Sequence, residues 1–185
     1  MKTPGLCVVL SVVLGGTVVP LAAQEGPPLP KPGPEHAILK EGAGTWDAKV
    51  ETWMAPGTEP AVSTGEETSR MGCGGLCLIT DFQGSLMGTT FEGHGTDTYD
   101  PSKKKYVGSW VDSMSTGLMT SESTYDPAMK TMTGWIEGPD MTGQVSRMKG
   151  TTVMKDPDTR VFSMYNVGPD GKETLGMRIT YTRRK

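Results

Sequence analysis

The chain has 185 residues, with 18 Lys and Arg against 21 Asp and Glu and a formal net charge of −3. No basic run could track a phosphate backbone, which argues against nucleic acid as a partner. Glycine is abundant at 25 residues, threonine is frequent and leucine is scarce after the first 24 residues, so composition favours strands over helices.

Residues 1–23 carry the parts of a secretory signal peptide: the charged start Met1-Lys2, an apolar run over 6–21, and small residues at Ala22-Ala23. The run is interrupted by Gly15-Gly16 and Pro20 and is short for a bilayer span. Cleavage is expected after Ala23, with Gln24 as the alternative, giving a periplasmic or extracellular protein. Cys7 lies too early in the run to be a lipid-attachment site. The remaining ~160 residues suit one domain with its own core. Nothing after residue 24 is apolar for long enough to cross a membrane as a helix.

Residues 24–33 form a Pro-rich extended linker, and 34–185 are the expected domain. One short helix is predicted over 34–41. Pro34 suits a first helical position, Ile38 and Leu39 give an apolar side, and Gly42 and Gly44 end it. Ten strands follow: 45–53, 61–71, 76–82, 88–99, 105–112, 116–125, 131–137, 144–155, 160–167 and 173–183. The first alternates, with Trp46, Ala48, Val50 and Thr52 on one face.

Turn chemistry separates the strands, and one turn is used twice. Thr98-Tyr99-Asp100-Pro101 is echoed by Thr124-Tyr125-Asp126-Pro127. In each, aspartate caps the turn and proline presets its second position. Short connections between successive strands predict an all-β, antiparallel up-and-down barrel of the lipocalin or calycin type, with one short N-terminal helix. A two-sheet sandwich is the alternative. A barrel of this size has room for one small ligand.

Several motifs also carry a resemblance. Gly44-Thr45-Trp46 after the helix is similar to the Gly-x-Trp opening of lipocalin-type barrels. Phe91-Glu92-Gly93, Tyr99-Asp100, Lys105-Tyr106-Val107 and Trp110-Val111-Asp112-Ser113 follow in order, and the chain ends on Tyr181-Thr182-Arg183. Together, from about His36 to Arg183, they closely resemble the bacterial domain-of-unknown-function 1579 family. That resemblance implies a calycin-like barrel and no established activity. Ser123 departs from the pattern, which often has glycine there, and so puts a local bulge in question.

Cys73 and Cys77 are the only cysteines after the leader. Residues four apart in a straight strand are about 13 Å apart, too far to bridge. Gly74-Gly75 could fold the segment sharply enough to close a disulfide; two buried thiols are the other outcome. Without further ligands the pair is not a zinc pattern. Twelve methionines lie beyond Met1. They read as adaptable apolar filling, because a thioether copper(I) site needs them clustered and they are scattered over many strands.

No Gly-x-Ser-x-Gly elbow is present, and no metal or cofactor is expected. Tyr106, Gly108, Trp110 and Asp112 share one strand face. Arg147 shares a face with Val145 and Val153, and if inward it would hold a ligand carboxylate or neutralise Asp112 or Glu122. His94, flanked by Gly93 and Gly95, faces either solvent or the interior, where it could ligate haem or a metal. The expected ligand-binding set is therefore Tyr106, Trp110, Asp112, Glu122, Arg147, Tyr165 and His94. The expected function is binding of a small apolar or amphipathic molecule in the barrel. The alternatives are an acid–base enzyme using Asp112, Glu122 or His94, and a ligand-free structural envelope protein.

Overall fold

The computed structural model describes residues 29–86, 88–139 and 142–185. The leader segment expected over 1–23 lies outside the described residues.

One helix, α1 (Pro34–Glu41), precedes ten strands: β1 (Gly44–Thr52), β2 (Ala61–Gly72), β3 (Cys77–Leu86), β4 (Thr89–Asp100), β5 (Lys105–Asp112), β6 (Met119–Asp126), β7 (Thr131–Pro139), β8 (Val145–Asp156), β9 (Thr159–Val167) and β10 (Glu173–Arg183). Each strand pairs antiparallel with its neighbour in sequence, and β1 pairs with β10, so the sheet closes into a barrel without a free edge. The expected all-β meander is what forms. β6 starts at Met119 rather than 116, because the Asp112 carboxylate accepts the Met114 and Ser115 amides and holds the preceding residues in a turn. The pairing of β6 runs through Ser123 without a register shift, so the glycine-to-serine departure brings no bulge.

The repeated turn works the same way in both copies. Asp100 Oδ1 accepts the amides of Ser102 and Lys103, and Asp126 Oδ1 those of Ala128 and Met129. Each turn ends in a left-handed lysine, Lys104 (φ 53°) and Lys130 (φ 47°). Each is also preceded by a tyrosine, Tyr99 or Tyr125, that packs into one cluster at the barrel end with Leu39, Leu78 and Tyr106.

The helix α1 lies over that end. Gly33 N–H bonds His36 Nδ1 at its start (3.0 Å), and Gly42 N–H bonds Leu39 O at its finish (3.0 Å). Its last carbonyls are then held by side chains from β1 and β10. Trp46 Nε1–H donates to Gly42 O (2.9 Å), and Arg183 donates to Ala43 O (2.7 Å) and Glu41 O (2.8 Å). A cation at a helix C-terminus is favourable for both its hydrogen bonds and its charge. The opposite end of the barrel is rimmed by connections that include 53–60, 113–118 and 168–172.

Cys73 and Cys77 form a disulfide, with Cα atoms 5.6 Å apart. The segment folds back because Cys73, Gly74 and Gly75 all take positive φ (54°, 68° and 92°), the last two at no steric cost.

Candidate functional site

Strand alternation decides which side chains enter the lumen. On β1 these are Trp46, Ala48 and Val50, all buried, packed with Phe82 of β3 and Tyr181 of β10. Across β5–β9 the inward residues are mixed, since Tyr106, Met148 and Arg160 are buried and others are not. Trp110, Ser121, Ile136 and Phe162 are only half-buried, as are Phe91 and Asp97 on β4. Phe91, Trp110 and Phe162 still pack against the β1 core cluster, so the interior is most tightly filled there and keeps accessible side-chain surface at these half-buried positions.

Two features shape that space. The Trp110 ring lies across β4, where a β-carbon at Gly93 would stand 2.1 Å from it and one at Gly95 2.8 Å. Glycine at both positions is what lets the indole lie flat on the wall. Its Nε1–H donates to Asp112 Oδ2 (3.0 Å). Next, Gly108 leaves room for Asp97: a β-carbon there would be 2.2 Å from Asp97 Oδ1 and 2.7 Å from Ser121 Oγ.

A polar cluster lies beside these residues. Arg160 of β9 bonds Glu67 of β2 in a buried ion pair. The Arg160 guanidinium sits between the rings of Trp46 and Tyr181, 4.5 and 4.3 Å from their centroids. Ser69 Oγ–H donates to Glu67 Oε1 (2.6 Å) and meets Thr80 Oγ1 (2.9 Å). A buried pair needs such additional partners to offset its desolvation. Burial and the adjacent Glu67 push the Tyr181 phenol well above its ordinary range, so it stays protonated. Asp97 is different. No described residue donates a hydrogen bond to it. Burial, then the Glu67 charge, push its carboxyl up to about 6, with Arg160 pulling partly the other way.

The predicted residues separate into two groups. Tyr106, Trp110 and Asp112 point inward on β5, in the order that alternation requires. Tyr106 is buried beneath α1 and donates to Glu35 O (3.3 Å); burial raises its phenol to about 12. Asp112 is inward but committed to Trp110 and its turn.

Glu122, Arg147, Tyr165 and His94 lie on the outer wall, which corrects their expected place in the lumen. Glu122 binds Lys103 Nζ (2.6 Å) and Lys105 Nζ (2.7 Å), which hold its carboxyl down to about 2. Arg147 pairs with Glu137 (2.9 Å) and stacks on Trp135, 4.2 Å from the ring centroid. The valines that suggested an inward face for Arg147 were misleading, since Val145 is 84% exposed. The inward residues of β8 are Met148 and Gly150. Tyr165 is in register with Lys149, whose amino group binds Glu173 outside. His94 Nδ1 bonds Asp81 Oδ1 (2.7 Å) at the exposed surface, so it cannot ligate anything in the lumen. Asp112, Glu122 and His94 therefore do not converge on one catalytic centre.

Recesses also open on the described surface. One of about 560 Å³ runs along the rim by Thr52, Ser63 and Ser85, and one of about 630 Å³ lies outside β1, β2 and β10 by Asp47, Glu66 and Arg184. Neither reaches Asp97. The first lacks any titratable side chain. The second has its charges paired, since Arg184 bonds both Asp47 and Glu66.

Residues 31–183 match the family model described as protein of unknown function, DUF1579. The chain belongs to this family. No curated protein matches the sequence. Among solved structures, Rv2717c from M. tuberculosis superposes with a TM-score of 0.59 at 11% identity, covering 83% of this chain and 99% of that one. The S-type phycobiliprotein lyase CPES from Guillardia theta superposes with a TM-score of 0.53 at 11% identity, covering 82% and 93%. At such identity the likeness is one of fold.

Sequence reasoning missed Glu67, Asp97 and Arg160 of this DUF1579 barrel. A signal for Asp97 existed: the tight turn after Asp100 fixes the β4–β5 register and sets Asp97 opposite Gly108, on the face already assigned to Trp110.

Proposed function

We propose that this DUF1579 protein is an exported carrier that holds one small amphipathic molecule in its barrel lumen. The observation that carries this is the half-buried state of the inward Phe91, Trp110, Ser121, Ile136 and Phe162, in a barrel closed all round and covered at one end by α1. The lining suits an apolar body. Met119, Met132, Met148, Met164 and Met177 fall on inward positions with Phe91, Phe162 and Ile136. Methionines scattered in sequence thus share the inward face once the sheet closes, and flexible thioethers adapt to varied apolar shapes. Trp110 supplies a broad rigid contact, and the few polar groups include Asp97 and Ser121. The leader-like pattern of residues 1–23 and the disulfide support export.

The test is a fluorescence titration with the neutral apolar probe N-phenyl-1-naphthylamine. It should saturate at one site per chain. The Ser121→Phe variant, which places a ring in the lumen, should abolish binding while retaining the β circular-dichroism spectrum. Absence of binding to the wild type, or undiminished binding to folded Ser121→Phe, would refute a lumenal site.

A further inference from the structure

We propose that Asp97 anchors the polar end of the bound molecule and that this end is a protonated amine; this rests on the lumenal reading above. Among the described residues, Glu67, Asp97 and Arg160 form one charged cluster inside the barrel, and the first and last of them are already matched. Arg160 bonds Glu67, is sandwiched by two rings, and its Nε, although without an acceptor, is sealed from any accessible surface. It is therefore not available to a ligand carboxylate. Glu67 is held in turn by Arg160, Ser69 and Tyr181.

Asp97 is the charge left over. It receives no hydrogen bond from the described residues, keeps part of its surface accessible, and, like Ser121 Oγ, packs over the Cα of Gly108, where a β-carbon would collide with both. A buried carboxylate without partners is costly, and a ligand that supplies a cation and its N–H donors removes that cost. An anionic ligand would add a second uncompensated charge. The groups facing Asp97 are Glu67 from β2 and Arg160 from β9, with Tyr99 on its own strand and Tyr106 on β5, and Tyr181 of β10 lies behind Glu67 and Arg160. Tyr106 and Tyr181 stay neutral at physiological pH. Asp97 with its raised carboxyl is thus the group expected to titrate between pH 5 and 7.5.

The experiment displaces N-phenyl-1-naphthylamine from the intact protein with octylammonium, octanoate and octanol, which share one chain and differ in head group. Octylammonium should compete at concentrations at least about tenfold below the other two at pH 7.5. Its potency should fall about tenfold at pH 5, where Asp97 takes up its proton. Asp97→Asn should remove the preference while still binding the probe. If that variant does not fold, the wild-type pH series with the three competitors decides alone. Probe binding with equal competition, with octanoate preferred, or with an octylammonium preference unchanged in Asp97→Asn overturns the amine anchor and leaves the lumenal site standing. No binding of probe or competitors overturns both.

Discussion

Replacing Asp97 by asparagine should stabilise the ligand-free barrel at neutral pH, and the gain should vanish in acid. The native carboxyl titrates near 6 instead of its ordinary 3.8. The folded state therefore holds its proton more tightly than the unfolded chain between those values. Stability is full below about pH 3.8, falls as pH rises through that window, and levels off above it. A shift of about two pKa units corresponds to roughly 2–3 kcal/mol. Asparagine has the shape of the protonated acid and carries no charge at any pH, so Asp97→Asn should recover most of this at pH 7.5 and almost none at pH 3.5. For a domain of this size the gain at pH 7.5 is about 5–10 °C in Tm. Urea denaturation of both proteins at the two pH values measures it directly. A variant no more stable than wild type at pH 7.5, or one shifted equally at both pH values, would refute the idea that Asp97 is an uncompensated carboxylate. A group that costs the empty barrel this much is consistent with an anchor that is matched only when the lumen is occupied.

Four further outcomes follow from the same structure. Gly93→Ala should cost roughly 1–3 kcal/mol, because the added methyl collides with the Trp110 ring; a changed Trp emission spectrum should accompany the loss of stability in denaturant. Glu67→Ala leaves Arg160 as a buried charge without its carboxylate and should cost roughly 3–5 kcal/mol by urea denaturation. Replacing Cys73 and Cys77 together by serine opens a five-residue loop and should cost about 2 kcal/mol on a chain-entropy estimate, read as a lower Tm that reductant no longer changes. Carbon-13 NMR should find the Glu122 carboxyl ionised down to about pH 2, and Lys103→Ala with Lys105→Ala should return it toward the ordinary range.

The barrel was legible because its signals are local. Asp-Pro turns, Gly-rich connections and alternation in β1 and β5 each depend on a few adjacent residues, and together they specify ten antiparallel strands. The direction in which β5 faces was not legible, since Val107 and Val111 make its other face apolar as well; the structure buries Tyr106 and exposes Val111. The site was harder to find because its chemistry is assembled across strands distant in sequence. Glu67 and Arg160 are 93 positions apart; Glu67 stands in a strand that reads as polar, and Arg160 sits near the start of another. Alternation fails as a guide when a lumen admits charge, because the hydrophobic side no longer marks the interior. Val145 and Val153 drew Arg147 inward on that logic, whereas the inner face of β8 is defined by Met148 and Gly150. The more general signal is glycine placed in register opposite a large or charged inward residue. Gly93 and Gly95 make room for Trp110, and Gly108 makes room for Asp97. Each of those positions is taken up by the side chain it admits, and Asp97 is the carboxylate among them that receives no hydrogen bond from the described residues.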